Sequence, residues 1–293
     1  MKLEYMVSKT DENKKIKDIL INKLHISHRL LITLKNENTV YLNNNNIALY
    51  NTAKENDIIA IDFSYEEDNS NIVAKEIPLN IVYEDEWIFV VNKPPFMPVH
   101  PSILHYEDSL SSGIKYYFDT IGLKKKIRPV NRIDKDTSGL VVFAKCEYIQ
   151  EELIRQMKNN TFKKEYIGII EGTLENKEGT INLPIARKEN SIIERCINEN
   201  GDKSITHYEV IKELEKYSIV KFMLETGRTH QIRVHTAYIV HPLLGDTLYG
   251  KESELINRQA LHCYKMSFIH PIANNNISFE ANLPDDMKNL YIS

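Results

Sequence analysis

Two carboxylates near the middle of the chain, Asp134 and Asp136, lie among cationic side chains and are candidates for acid, base or nucleophilic chemistry. Their cationic neighbours are Arg128, Arg132 and Lys135. A turn-forming Asp-Thr-Ser-Gly follows, and then an apolar run that predicts a buried strand. Catalytic groups are common on a loop that such a strand holds in place. From spacing alone, the segment could equally be a surface loop of ion pairs, with Asp136 capping the turn.

A second group of candidate residues lies later in the chain and contains two arginines and two histidines. Arg228 and Arg233 are five positions apart, so they would point in different directions on a helix. His230 and His235 have the same separation, whereas zinc ligands in a His-Glu-x-x-His motif, which is absent, are four apart. We therefore interpret the histidines as structural hydrogen-bonding residues. The three cysteines form no Cys-x-x-Cys, so we expect reduced thiols and neither zinc nor disulfides.

The composition is that of a soluble globular protein, and its charge is unevenly distributed along the chain. The 293 residues include 37 Lys and Arg against 41 Asp and Glu, a net charge of −4 that argues against a nucleic-acid partner. However, residues 1–35 and 121–145 are locally basic, whereas residues 36–86 are strongly acidic. No apolar run is long enough to span a membrane, and the start lacks a signal-peptide core. We expect a cytoplasmic protein without membrane contact.

Two domains are predicted from the distribution of glycine and proline. All ten glycines lie at or after Gly113 and the prolines begin at Pro78, which indicates a small module over 1–76 and a larger domain over 77–293. In the small module, helical spacing predicts helices over 14–23 and 28–35, the second capped by Ser27, followed by strands over 39–42 and 58–63. The larger part alternates strand and helix signals irregularly, as in an α+β domain. Thr229 is a candidate cap for a helix over 230–239.

Several segments resemble, in order, the motifs of the RluA-type pseudouridine synthases. Residues 131–140, Asn-Arg-Ile-Asp-x-x-Thr-Ser-Gly-Leu, resemble the signature His-Arg-Leu-Asp-x-x-Thr-Ser-Gly-Leu, and residues 226–235 resemble Thr-Gly-Arg-Thr-His-Gln-Ile-Arg-Val-His. Shorter blocks follow the family order at residues 93–101, 164–166, 241–250 and 261–271. Each block alone is a modest signal, but the ordered series over residues 80–285 is specific to this family.

The resemblance implies a mixed, mainly antiparallel sheet with flanking helices and an isomerase that detaches uracil from ribose and rejoins it through carbon 5. By position, Asp134 matches the catalytic aspartate of the family, Tyr166 its base-stacking tyrosine, and Arg233 the arginine that pairs with the aspartate. Nothing is oxidised or phosphorylated in this reaction, so neither a metal nor an organic cofactor is expected. We assign to RNA contacts the residues Arg128, Arg132, Lys135, Lys164, Arg228 and His230.

The residue types suit this chemistry. A carboxylate can attack the sugar or stabilise its positive charge when a glycosidic bond breaks. A neighbouring guanidinium favours the charged form of the carboxylate in a closed pocket. Tyr166 offers a flat face to the uracil and a phenol that could relay the proton that carbon 5 must lose. The target uridine is expected to flip out of its stack at a cost of a few kcal/mol.

The chain departs from the family motifs at two positions and carries an additional N-terminal module. Asn131 replaces the histidine of the signature and can still hydrogen-bond, whereas Phe96 replaces a glycine and makes the path of its loop uncertain. Residues 1–76 loosely resemble the α-L RNA-binding module, through two helices, the Ser27-His28-Arg29 segment and a strand end.

We therefore expect a monomeric enzyme that isomerises uridines in structured RNA, with large-subunit ribosomal RNA as the expected substrate and tRNA as the alternative. RNA is expected to bind across the basic face at 121–145, and the acidic segment 36–86 is expected to face away from the RNA. A different class of protein, a non-catalytic RNA-binding or ribosome-assembly factor with the same fold, is the alternative hypothesis. A third hypothesis is a glycosidase that releases free uracil.

Overall fold

Two β-sheets of unequal size organise the chain in a computed structural model that describes residues 1–102 and 105–292. The smaller, four-stranded sheet is N-terminal and has the strand order β1-β4-β2-β3. Its strands and the two helices that pack on it are β1 (Lys2–Met6), α1 (Ile16–Asn22), α2 (His28–Asn36), β2 (Val40–Leu42), β3 (Asn45–Asn46) and β4 (Ile58–Asp62).

The sequence predictions for this small module are confirmed for both helices and for the two later strands. Ser27 caps α2 as predicted, because its hydroxyl accepts a hydrogen bond from the amide of Leu30 at 3.1 Å. The strand β1 was not predicted. It pairs along its whole length with β4 and alternates between exposed and half-buried positions, so its apolar signal is weak.

The larger sheet has ten strands and forms the predicted mixed, mainly antiparallel α+β domain. Its main path is β10-β13-β14-β9-β15-β8-β6-β5, with β16 added to β15 and β7 to β8. Its elements, together with a separate hairpin of β11 and β12, are β5 (Ile81–Glu84), β6 (Ile88–Lys93), α3 (Leu110–Thr120), β7 (Arg128–Pro129), β8 (Ser138–Ala144), α4 (Glu147–Lys158), β9 (Lys163–Glu171), β10 (Glu178–Asn182), β11 (Ile185–Arg187), β12 (Arg195–Ile197), β13 (Ile205–Glu213), β14 (Tyr217–Leu224), α5 (Gln231–Tyr238), β15 (Leu261–Ile269), β16 (Asn276–Glu280) and α6 (Asp285–Ile292).

The two halves of this sheet meet where β8 runs parallel to β15. Within the described ranges, every other pairing in the sheet is antiparallel, and this one joins only two residue pairs, Ser138 with His262 and Gly139 with Cys263. One row of paired residues crosses the junction in the order Phe222, Tyr166, Cys263, Gly139, Lys93. Directly paired residues share a face of the sheet, so the junction brings motif residues from four strands to one place.

Glycine is required at the junction. Gly139 has φ +115°, and a Cβ there would lie 2.2 Å from the carbonyl oxygen of Cys263 and 2.6 Å from its amide nitrogen. The backbones of β8 and β15 can approach this closely only because the glycine carries no side chain.

The acidic segment after β4 packs against the start of the basic segment 121–145, which corrects the prediction that it turns away. Arg128 is buried in a bidentate ion pair with Glu67, and Lys124 pairs with Glu66. The buried Lys125 ammonium donates to the carbonyls of Phe63 and Tyr65. Much of the local positive charge is therefore used within the fold, and the exposed basic surface is smaller than the sequence suggested.

The small module is attached to the larger domain through α4. Ser27 donates to Glu151 at 2.6 Å, and Arg155 donates to the carbonyl of His25 at 3.2 Å. The rings of Phe63 and Tyr148 stack with centroids 5.7 Å apart, and one apolar core runs through both parts. No helix within the described ranges has the length and apolar character that a membrane crossing requires.

Replacing Gly139 should destabilise the fold severely, because the new methyl group would strain the backbone and separate β8 from β15. We expect Gly139→Ala to lower the free energy of unfolding by more than about 3 kcal/mol. The matched control is Gly122→Ala, since Gly122 also has positive φ (+70°) but no atom within 4 Å of its added Cβ. The control should cost only about 1 kcal/mol. Urea denaturation of both variants measures the difference, and equal losses would contradict the junction argument.

His262 should make the stability of the fold sensitive to acid. Its Nδ1 lies 2.9 Å from Ser138 Oγ and its Nε2 lies 3.2 Å from the carbonyl oxygen of Ala281. Burial lowers the pKa of His262 to about 4, from an ordinary value of 6.5. Between these values the unfolded chain binds a proton that the folded chain excludes, so the free energy of unfolding falls as the pH is lowered from about 6.5 toward about 4.

The contribution of His262 can be isolated by comparing the wild type with His262→Gln, whose amide can still bond both neighbours. In this window the free energy of unfolding of the wild type should fall more steeply with decreasing pH than that of the variant, by up to about 1.4 kcal/mol per pH unit. Urea denaturation from pH 7 to pH 4 measures it. Parallel curves for the two proteins would show that His262 is not responsible.

Candidate active site

A cleft of about 560 Å³ opens at the junction of the two half-sheets and contains the motif residues. Its walls are the loop before α3, the segment that leads into β8, the start of β9 and the loop before α5. A narrower pocket of about 60 Å³ continues from it toward Arg233. The lining residues that the sequence singled out are Arg132, Asp134, Lys135, Lys164, Tyr166 and Arg228.

The loop that carries Asp134 is held by its backbone. It turns tightly, with the amide of Thr137 donating to the carbonyl of Asp134 at 3.2 Å. Arg258 donates to the carbonyl of Asp136 at 3.1 Å, and the buried Lys93 ammonium donates to the carbonyl of Lys135 at 2.9 Å. Because these contacts fix the main chain rather than the side chain, the carboxylate of Asp134 remains directed into the cleft.

Arg233 bridges two carboxylates, one in the cleft and one beneath it. Its Nη1 donates to Asp134 Oδ2 at 3.0 Å, while Nε and Nη2 donate to the two oxygens of Asp246 at 2.7 and 2.9 Å. Burial alone would lower the pKa of Arg233, but the hydrogen bonds to Asp246 and the charge of Asp134 raise it above its ordinary value. The guanidinium therefore stays charged and cannot rotate away from Asp134 without losing its bidentate partner.

Asp246 is a site residue to which the sequence analysis gave no role. It is fully buried and also accepts hydrogen bonds from the amides of Leu248 and Tyr249 at 3.1 and 3.2 Å. The preceding Gly245 has φ +74° and approaches the carbonyl of Arg258 closely. The available signal was the Gly-Asp pair within the block at 241–250, which matches the family order but does not show that its carboxylate reaches Arg233.

The loop before α5 is organised by the side-chain amide of Gln231. Gln231 Oε1 accepts from the hydroxyl of Thr226 and the amide of Arg228, and its Nε2 donates to the carbonyl of Ile205. This arrangement turns Arg228 outward, where it lies 3.8 Å from Asp202 and apart from Arg233, as its spacing predicted. The prediction that Thr229 caps the helix is wrong, because His230 is the N-cap and adopts φ +58°.

His230 lies beside Asp134 and was predicted as an RNA contact. Its Nδ1 is 2.8 Å from the Tyr249 hydroxyl, whose oxygen accepts from the amide of Arg195. The other ring nitrogen, Nε2, is 3.8 Å from Asp134 Oδ2. Burial lowers the pKa of His230, which favours a neutral ring beside the carboxylate.

Tyr166 forms the opposite wall of the cleft and is 6% exposed. It is placed by β9, where it pairs with Phe222 on one side and Cys263 on the other. Burial raises the pKa of the Tyr166 hydroxyl well above its ordinary value, and the charge of Asp134 acts in the same direction. The phenol therefore keeps its proton at neutral pH, which suits a ring that stacks on a base better than a group that removes a proton.

The remaining predicted residues are placed differently from one another. Arg132 and Lys135 are exposed at the mouth of the cleft, and Lys164 is half-buried in its wall. Arg128 is not available to RNA, because its guanidinium is buried against Glu67. Within the described residues, no three His, Cys, Asp or Glu side chains come together to hold a metal ion.

The two departures from the family motifs are accommodated locally. Asn131 accepts from the amide of Val142 at 2.8 Å and donates to the carbonyl of Leu140 at 3.3 Å, as the hydrogen-bonding capacity of its amide predicted. Phe96 adopts φ +64°, the backbone conformation that glycine favours, and its ring is 49% exposed.

The chain is similar to known RNA-modifying proteins over most of its length. The family model described as RNA pseudouridylate synthase matches residues 87–238. YjbO of Bacillus subtilis (strain 168), an uncharacterised RNA pseudouridine synthase, is 39% identical over 269 residues, which are 92% of this chain and 95% of the relative. Ribosomal large subunit pseudouridine synthase D of Blochmanniella floridana is 34% identical and covers 99% of this chain and 93% of its own.

The solved structures agree with the sequence relatives. Human RNA pseudouridylate synthase domain containing 1 superimposes with a TM-score of 0.58 at 26% identity, covering 71% of this chain and 84% of its own. The family match, the near full-length relatives and the shared fold all confirm the resemblance that the motifs indicated. By sequence and by fold, the chain belongs to the RluA-type RNA pseudouridine synthases, enzymes that isomerise uridine in RNA.

Proposed function

We propose that this enzyme isomerises specific uridines of large-subunit ribosomal RNA, with Asp134 as the nucleophile that breaks the glycosidic bond. The observation that carries the proposal is the position of the Asp134 carboxylate, 3.0 Å from Nη1 of Arg233, in a cleft that Tyr166 also lines. The ribosomal substrate is supported by the name of the Blochmanniella floridana relative, which is similar to this chain over its whole length.

In this proposal the target uridine leaves its stack and its uracil lies against Tyr166. The carboxylate of Asp134 forms a bond to C1′ of the ribose as the bond from C1′ to N1 breaks, and uracil carries the electron pair away. The base then rotates in the closed cleft so that carbon 5 faces C1′. Formation of the bond between carbon 5 and C1′ breaks the bond between C1′ and Asp134, which leaves as the carboxylate. A base then removes the proton on carbon 5 while N1 gains a proton, so the double bond between carbons 5 and 6 is restored and no net proton is lost.

Arg233 would orient the carboxylate and offset its charge through this cycle, with His230 beside it. Arg233 supplies a permanent positive charge that Asp246 holds in place, and Nε2 of His230 lies 3.8 Å from Asp134 Oδ2. Both are present before the substrate arrives, so no reorganisation is needed when the sugar becomes positively charged.

Tyr166 would hold the base during rotation and would not act as the first proton acceptor, because its phenol keeps its proton at neutral pH. Once the carbon–carbon bond has formed, the released carboxylate of Asp134 is a free base at the reacting centre. A closed wall around the uracil also explains why an isomerase would not release free base.

The role of Asp134 is tested by Asp134→Asn, with Asp136→Asn as the matched control two residues away. Asp134→Asn should abolish pseudouridine formation in ribosomal RNA and leave the unfolding midpoint and RNA affinity near those of the wild type. Asp136→Asn should retain most activity, because Asp136 contributes its carbonyl to the loop. Mass spectrometry of RNA digests gives the pseudouridine content, and full activity of Asp134→Asn would refute the assignment.

The pseudouridine assay and pseudouridine mapping of cellular RNA distinguish the proposed isomerase from the two alternative functions. A non-catalytic assembly factor would bind ribosomal RNA without forming pseudouridine, and a glycosidase would release uracil in proportion to substrate lost. Pseudouridine mapping of ribosomal and transfer RNA from cells lacking the protein should show a loss confined to large-subunit ribosomal RNA. That loss should be restored by the wild-type chain and not by Asp134→Asn.

Asp246 should affect the rate rather than RNA binding, since it touches only Arg233 and the backbone. Asp246→Asn would weaken one side of the bidentate pair and let the guanidinium shift relative to Asp134. We expect kcat to fall about 10–100-fold with little change in KM. The control is Glu280→Gln, which breaks an exposed ion pair with Lys265. A kcat within twofold of the wild type would show that Asp246 does not support catalysis.

A further inference from the structure

A second groove, of about 420 Å³, lies beside the active-site cleft. It is formed by the C-terminal end of α4, the start of β9, the ends of β13 and β14 and the loop before α5. The two depressions share Met157, Lys164, Leu224, Gly227 and Arg228, so they form one continuous surface. We call the part that belongs only to the second depression, which includes Ile154, Lys158, Phe162, Lys203 and Ile205, the flanking groove.

The flanking groove combines an apolar floor with a cationic rim. Its floor contains Ile154, Phe162 and Ile205, and its rim contains Lys158 and Lys203. Ile154 is 37% exposed, so its side chain is accessible to a bound base. Surfaces that bind single-stranded nucleic acid combine a cationic groove, which follows the phosphates, with side chains on which bases pack.

Three lysine side chains of this surface have no partner in the part of the chain that the structure describes. Within the described residues, the side chains of Lys158, Lys164 and Lys203 make no hydrogen bond or ion pair, whereas most other cations near the cleft are paired. The acidic residues nearby are already engaged, Glu225 by His207 at 2.8 Å and Asp202 with Arg228 at 3.8 Å. Three unpaired ammonium groups therefore remain along one continuous surface, where they would attract a polyanion.

Lys164 lies at the boundary between the cleft and the flanking groove. A Cβ added at Gly227 would come within 2.9 Å of Lys164 Nζ, so the glycine leaves room for the ammonium to lie against the loop. Burial lowers the pKa of Lys164, which means that an anion beside it would be a favourable partner. A uridine in the cleft would bring its own backbone phosphates to this boundary.

We propose that the flanking groove binds the nucleotide next to the isomerised uridine, with its base on Ile154 and the backbone phosphate between Lys164 and Lys203. This inference rests on the proposed function and adds a strand path for the RNA. The path leads from the cleft toward the end of α4, the helix on which the N-terminal module packs.

The test uses the full-length protein and, as its probe, ribosomal RNA from cells lacking the enzyme. Lys203→Ala should raise KM about tenfold and reduce the slope of log(kcat/KM) against log[salt] by about 1, because one phosphate contact is lost. Ile154→Ala should raise KM without changing that slope, since it removes a base contact. Lys288→Ala on α6, outside both depressions, makes the same change of charge and should behave as the wild type.

The outcomes separate this proposal from the proposed function. Suppose that the wild type forms pseudouridine, but that both groove variants, Lys203→Ala and Ile154→Ala, have the same KM and salt slope as Lys288→Ala. The flanking groove is then not part of the RNA path. If the wild type forms no pseudouridine in any ribosomal or transfer RNA, the proposed function fails first. Unfolding midpoints of all three variants should stay near that of the wild type, because each side chain is partly or fully exposed.

Discussion

The contact between Gly139 and Cys263 is the constraint on which the catalytic cleft depends. It is the point where β8 meets β15 in the parallel pairing of two otherwise antiparallel half-sheets. The loop that carries Asp134 ends there, and Tyr166 is the next residue along the same row. A side chain at position 139 would separate the strands, and with them the two motif residues that line the cleft, Asp134 and Tyr166.

Many charged side chains of this protein form ion pairs with one another instead of facing solvent. Asp246 binds Arg233, and Arg233 binds Asp134, so the carboxylate in the cleft lies against a buried counter-charge. The acidic segment after β4 neutralises Lys124 and Arg128. Among the cations left unpaired within the described residues, Arg132 and Lys164 line the cleft, and Lys158 and Lys203 line the flanking groove. A net charge of −4 is compatible with an RNA partner for this reason.

Many of the motif residues act by holding backbone rather than by touching substrate. Gln231 folds the loop before α5, His262 links Ser138 to the end of β16, and Arg258 holds the carbonyl of Asp136. Each motif thus combines a side chain that faces the cleft with residues that fix the main chain beside it. The side chains that face the cleft are therefore positioned before any substrate binds.

The motif series alone was enough to predict the family, the α+β fold and the pairing of Arg233 with Asp134, because local patterns and ordered motifs are properties of the sequence itself. It did not reveal the first strand, whose weak pattern becomes a strand only by pairing with β4. Nor did it show that Arg128 forms a buried ion pair with Glu67, or that Asp246 accepts hydrogen bonds from Arg233. Those partners are 61 and 13 residues apart. Which charges meet across such distances is decided by tertiary packing, since burial makes an unpaired charge too costly to leave.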